Sequence, residues 1–139
     1  MNLAFFLIPK SHVSYLTEGS SFRQGLEKLR CHGYATLPVI GRDGTYRGCI
    51  HEGDFLWNMM SIGSIDPRDL EEARIDEIIS DRMPPLTVST PLPKLWERVL
   101  EQSIVPVVDD RNVFVGIISR RQVMAYLMDR KGGVEEAGS

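Results

Sequence analysis

Apolar positions along the chain alternate between two periods. Phe22, Leu26 and Leu29 recur at i, i+4 and i+7, and Leu92, Leu95, Trp96, Val99 and Leu100 give a second, stronger helical stripe. Each stripe is followed by two short apolar runs around a turn. Residues 37–40 and 46–50 flank Gly41-Arg42-Asp43-Gly44, and residues 105–108 and 113–118 flank positions 109–112, so both read as β-hairpins. A further helix follows each hairpin. Phe55, Leu56, Met59 and Met60 mark the first, with Asp54 as its N-cap or first-turn acid, and Val123, Met124, Leu127 and Met128 mark the second. Extended segments precede the striped helices at 13–16 and 86–88, each closed by turn and cap residues at 17–21 and 89–91. Gly33 is the expected C′ residue of the first helix. Residues 1–8 read as a helix or strand entering the fold, and 75–79 as a short helix opening the second half.

The two halves repeat one another. Pro38 and Pro106 are 68 positions apart, as are Gly48 and Gly116, whereas Leu16-Thr17 against Val88-Ser89 gives an offset of 72. The second copy therefore lacks about four residues near its helix C-terminus. The order β-α-β-β-α occurs twice, an α/β architecture. Residues 1–62 are the first repeat, 63–74 a linker, 75–130 the second repeat and 131–139 a disordered tail. A unit of this size buries too little surface alone, so the halves share a core, and the cleft between them is the expected site.

With 42% hydrophobic and 25% charged residues the composition is that of a globular protein, and a net charge of −3 gives no reason to expect nucleic acid. Cys31 and Cys49 stand apart without CxxC spacing, which reads as buried thiols in a reducing, cytoplasmic compartment. The apolar run near the N-terminus is too short to span a membrane. His12, His32 and His51 fall in unrelated elements, so no metal site is expected. No nucleophile elbow, Gly-rich phosphate loop or framed carboxylate pair occurs, so no catalytic residue and no enzyme activity are expected.

Pro38-Val39 and Pro106-Val107, with the Gly-led strands at 48–54 and 116–122 running into helices, resemble the CBS domain. Two in tandem resemble a CBS pair, or Bateman module, over residues 9–130. The resemblance implies a pseudo-symmetric α/β module that dimerises through the helices after the hairpins and binds adenine nucleotides between the repeats. A narrower similarity, carried by Tyr34-Ala35-Thr36 and Ser119-Arg120-Arg121, is to the small stand-alone CBS proteins of Gram-positive bacteria that bind cyclic di-AMP. That similarity implies a nucleotide site lined by Tyr34, Ala35, Thr36, Pro38, Ser119, Arg120 and Arg121. Lys10, Ser11 and His12 would contribute from the first strand.

The residues suit that chemistry. Arginines where a strand meets a helix can hold phosphate bidentately, and Ser119 adds a hydroxyl. Two cations at a helix N-terminus are otherwise disfavoured. Tyr34 either stacks on adenine or caps the core. The family pattern places a hydroxyl after the glycine-led strand and, three residues on, an acid for ribose. The first copy has His51 and Asp54, the second Ser119 and Gln122. Neither is complete for AMP or ATP. Asp54 is thus the ribose contact only of the alternative, an AMP, ADP or ATP sensor. A ligand-free scaffold is the third reading.

Phe55, Trp57, Met59, Met60, Met124, Tyr126 and Met128 make the post-hairpin helices apolar nearly all round, which predicts a homodimer interface. The sequence thus points to a non-enzymatic regulator that binds cyclic di-AMP, without a separate cofactor, and acts on a protein partner such as a regulated enzyme.

Overall fold

The computed structural model describes residues 1–32, 35–63 and 66–138, with side chains through residue 129 apart from those of His32 and Ile62. A 3-10 turn at Leu3–Phe6 leads into β1 (Ile8–Pro9), and a second at Lys10–His12 leads to β2 (Leu16–Thr17). There follow α1 (Phe22–His32), β3 (Thr36–Ile40), β4 (Tyr46–His51) and α2 (Glu52–Ile62). A short helix, α3 (Pro67–Glu72), and a 3-10 turn at Ile75–Ile78 cross to the second repeat. That repeat contains β5 (Leu86–Thr87), α4 (Leu92–Glu101), β6 (Ile104–Val108), β7 (Phe114–Ser119) and α5 (Arg120–Gly138).

The tandem β-α-β-β-α order holds, with three corrections. Lys10, Ser11 and His12 form a 3-10 turn after the first strand, not part of it. The linker contains a helix, capped by the Asp66 carboxylate accepting from the Arg68 N–H at 2.9 Å, with Pro67 at the position that needs no N–H. The tail expected to be disordered from residue 131 continues as helical backbone to Gly138. The Gly33 cap lies outside the described residues.

Strand pairing shows how the repeats interlock. In each, a short parallel strand and an antiparallel hairpin form one sheet, β2-β3-β4 and β5-β6-β7. β1 then crosses to the second repeat, where Ile8 pairs with Ile117 and Pro9 with Gly116. The segment after the 3-10 turn at Ile75–Ile78, which runs on from the linker, makes the reciprocal crossing, as Ser80 bridges Cys49 in the first repeat. Both crossings press a backbone against a glycine. A Cβ on Gly116 would lie 2.1 Å from the Ile8 carbonyl oxygen, and one on Gly48 would lie 2.5 Å from that of Ser80. Glycine is therefore required by close approach as well as by positive φ (157° and 142°).

The pairing also revises the offset between the copies. Leu16 aligns with Leu86 through their partners Val39 and Val107, an offset of 70. Ser80 stands where Ile8 does, an offset of 72, so the missing residues divide between two places. Two are absent between the crossing strand and β5, and two at the helix C-terminus.

Each repeat buries its own core, around Phe22, Leu37, Ile50 and Phe55 in the first and Leu3, Leu95, Val105 and Ile118 in the second. A third cluster joins them, with Ile40, Tyr46, Val108, Phe114 and Ile117 packed against Ile8, Val13, Tyr15 and Ile104. The hairpin tips pair across the pseudo-two-fold axis. The Tyr46 N–H donates to the Asn112 carbonyl and the Phe114 N–H to that of Gly44, each at 3.0 Å. Gly44 and Asn112 both take positive φ, which the turns require.

Candidate functional site

Between the repeats the shared cluster leaves a partly open cavity of about 80 Å³. Ile8 of β1, His12, Val13 and Ser14 of the following segment, Thr36 and Pro38 of β3, Ile104 of β6 and Ile117 of β7 line it. Four strands from the two repeats meet there because β1 has crossed onto β7. Its walls are mostly apolar, with His12, Ser14 and Thr36 as polar members. Ordinary ligand pockets run to roughly 300–1,000 Å³, so the cavity takes part of a nucleotide and the remainder would lie over its rim.

Three of the expected residues, His12, Thr36 and Pro38, come together in this cavity. Lys10 stands two residues before His12, its ammonium 5.3 Å from the centre of the Tyr15 ring. The Lys28 ammonium lies 5.4 Å from the same ring, so the rim near Ser14 is positive. Among the described residues no carboxylate pairs with Lys10. Ser11 is exposed on the 3-10 turn, and Ala35 is exposed, its carbonyl accepting from the Glu52 N–H at 2.9 Å. Tyr34 lies outside the described residues.

The Ser119–Arg121 segment divides. Ser119 caps α5, its hydroxyl accepting from the Gln122 N–H at 3.2 Å. Arg120 turns to α4 instead of the cavity. Its Nε donates to the Val99 carbonyl at 2.6 Å and its terminal nitrogen to that of Leu100 at 3.3 Å. A cation on the free carbonyls of a helix C-terminus is a stabilising arrangement, so Arg120 serves the fold in this structure. Arg121 is exposed and borders an open groove with Ser103, Met124, Ala125 and Met128. It is the arginine of the pair left free to meet an anion.

The two-fold counterpart of this region is built differently. Arg82 occupies the place of Lys10, and Asp54 and His51 those of Gln122 and Ser119. One terminal nitrogen of Arg82 donates to both Asp54 oxygens, at 2.5 and 2.6 Å, and contacts His51 Nδ1 at 3.1 Å. Its Nε donates to the Ser80 hydroxyl at 2.8 Å. Asp54 also accepts from the His51 N–H at 2.8 Å, closing the first turn of α2. Burial, then the Arg82 charge, holds His51 below the ordinary imidazole value. Buried Cys49 beside it is pushed up to about 11, chiefly by desolvation, so its thiol is inert. Asp54 is thus both the first-turn acid and a partner for Arg82.

Sequence reasoning missed Ile8, Val13, Ser14, Ile104 and Ile117. The crossing of β1 onto β7, which gathers them, leaves no local pattern in the sequence. Ser14 stands out, because its hydroxyl is buried without a hydrogen-bond partner.

Among the described residues, no group of three or more His, Cys, Asp or Glu side chains could hold a metal ion, and no helix is long and apolar enough to cross a membrane.

Residues 75–129 match the CBS domain family. Cyclic di-AMP receptor B of Bacillus subtilis (strain 168) is 25% identical over 122 residues, 88% of this chain and 83% of that protein. The crystal structure of CbpB in complex with c-di-AMP covers 99% of this chain and 91% of its own, with a TM-score of 0.89 at 21% identity. CBSX2 in complex with AMP gives a TM-score of 0.75 at 21% identity, covering 94% of this chain and 98% of its own. The fold is that of a tandem CBS-domain pair.

Proposed function

We propose that this chain is a non-enzymatic, cytoplasmic nucleotide sensor that binds cyclic di-AMP in the cleft beside β1. The observation that carries the reading is the meeting of His12, Thr36 and Pro38 in one cavity at the junction of the repeats. The name of the Bacillus subtilis relative, a cyclic di-AMP receptor, supports the same ligand. The apolar walls would take an adenine. Lys10 would meet phosphate from the rim and Arg121 from the groove that begins at Ser103, next to Ile104 of the cavity wall, and Arg120 would hold α4 in place.

The signal would leave through the helices after the hairpins. Leu56, Trp57 and Met60 on α2 and Met124, Leu127 and Met128 on α5 remain exposed, at 44–74%. So much apolar surface left on these two helices supports a homodimer. Phe55 and Tyr126 do not belong to this surface. Phe55 is buried, and Tyr126 packs edge-on against Phe5 and Phe6 with centroids 5.2 Å apart. Ligand occupancy would favour one arrangement of the pair and so one surface for a protein partner such as a regulated enzyme.

Isothermal titration with cyclic di-AMP, AMP, ADP and ATP tests the reading. Selective binding of cyclic di-AMP, lost in Arg121→Ala, supports it; binding of AMP or ATP alone overturns it in favour of an adenylate sensor.

A further inference from the structure

A serine hydroxyl in a loop ordinarily bonds to nearby backbone. That of Ser14 is buried with no partner among the described residues, and the residue lines the cavity between the repeats. An unsatisfied buried hydroxyl weakens the fold, so its retention calls for a reason. Ile8, Val13, Ile104 and Ile117 in the cavity wall are apolar, and neither His12 nor Thr36, its other polar members, hydrogen-bonds to the Ser14 hydroxyl. Counting back from the matched residues Leu16 and Leu86, the counterpart of Ser14 in the second repeat is Pro84, which has no hydroxyl. The carbonyl of Pro84 is already engaged by Arg98 at 2.6 Å. The orphan hydroxyl is therefore particular to one of the two clefts.

We propose that Ser14 reads the nucleobase: its hydroxyl hydrogen-bonds to the edge of an adenine seated against Ile8, Val13, Ile104 and Ile117. The inference rests on the nucleotide-sensing reading and adds to it the group that selects the base. A hydroxyl both donates and accepts, so it can take the exocyclic amino proton of adenine or donate to a ring nitrogen. A base that offers neither would leave the hydroxyl buried and unpaired, and the site would reject it. The free protein thus carries an unmet hydrogen bond that the ligand completes.

Ser14→Ala separates this role from a structural one, because the two move stability in opposite directions. Removing an unsatisfied hydroxyl should raise the melting temperature of the free protein by roughly 2–4 °C. The same change should weaken cyclic di-AMP binding about tenfold in isothermal titration, the loss of one hydrogen bond to a buried edge. A dissociation constant within about twofold of wild type overturns the proposal, as does a lower melting temperature in the free variant. Wild-type protein that binds neither cyclic di-AMP nor AMP overturns the sensing reading as well. Wild-type binding with an unaffected variant overturns only the role of Ser14.

Discussion

The two clefts of this pair are related by the fold and separated by their charges. Beside β1, Lys10 meets no carboxylate among the described residues and a buried hydroxyl lacks a partner. Beside the linker, Arg82 stands in the place of Lys10 and is already held by Asp54, His51 and Ser80. An anion entering the β1 cleft brings the first counter-charge. One entering the linker cleft must displace a carboxylate that binds Arg82 through both oxygens. Backbone pairing specifies the architecture twice over. The exchange of Asp54 for Gln122 between the copies decides which cleft keeps its cation available. Duplication therefore gives two related positions, and single substitutions leave them with different charge pairing.

The strongest test breaks the crossings that create the clefts. In Gly116→Ala a Cβ would meet the Ile8 carbonyl at 2.1 Å, and φ of 157° suits no other residue. β1 must then leave β7. We expect a loss of roughly 2–4 kcal/mol in chemical denaturation, together with loss of nucleotide binding. Gly48→Ala meets Ser80 in the same way and should cost a comparable amount. It should spare binding in whatever fraction remains folded, because β1 and its cavity are untouched. Equal loss of binding in both variants would mean that the clefts do not act separately.

A smaller effect is expected from Asp54→Ala. The change removes the acceptor for the His51 N–H and the partner of Arg82. Arg82 is 55% exposed, so solvent screens the ion pair, and the combined loss should be about 1 kcal/mol by thermal or urea denaturation. Affinity for cyclic di-AMP should stay within about twofold of wild type, since the β1 cleft contains neither residue. Abolished binding would move the ligand to the linker cleft and restore Asp54 as a ribose contact.

Much of this arrangement was legible in the sequence. Helical stripes, hairpins and the 68-residue offset between prolines rest on local periodicity, and the structure keeps all of them. The offset at the first strand is not fixed by the residues, because Leu16-Thr17 can be laid against either Leu86-Thr87 or Val88-Ser89 by composition alone. Only parallel pairing with β3 and β6 fixes the register. The lining of the candidate cavity was legible where a motif carries it, as at Thr36 and Pro38. It was not legible where long-range crossing supplies the wall, as at Ile8 and Ile117, or where a side chain has two possible targets. Arg120 and Arg121 are adjacent and chemically identical. One turns to the carbonyls of α4 and the other to solvent, a choice made by the direction of α5 and invisible in the residue types.

The finest difference between the clefts is their response to pH. His51 Nδ1 faces the Arg82 guanidinium and lies 3.7 Å from Asp54, and the imidazole is held below its ordinary value by burial and then by the arginine. Asp54 opposes this but does not outweigh it. In the unfolded chain His51 titrates near its ordinary value of about 6.5, so below that pH the unfolded state binds more protons than the folded one. Stability should therefore be level above pH of about 6.5 and decline as pH falls through the window just beneath it. Melting temperatures of wild type and His51→Gln, compared between about pH 7.5 and about pH 5.5, isolate this contribution, and the variant should show the shallower decline. Protonation turns an acceptor for Arg82 into a second cation beside it, so the linker cleft loosens first. A decline of equal steepness in His51→Gln would place the titrating group elsewhere and leave the two clefts alike in their response to acid.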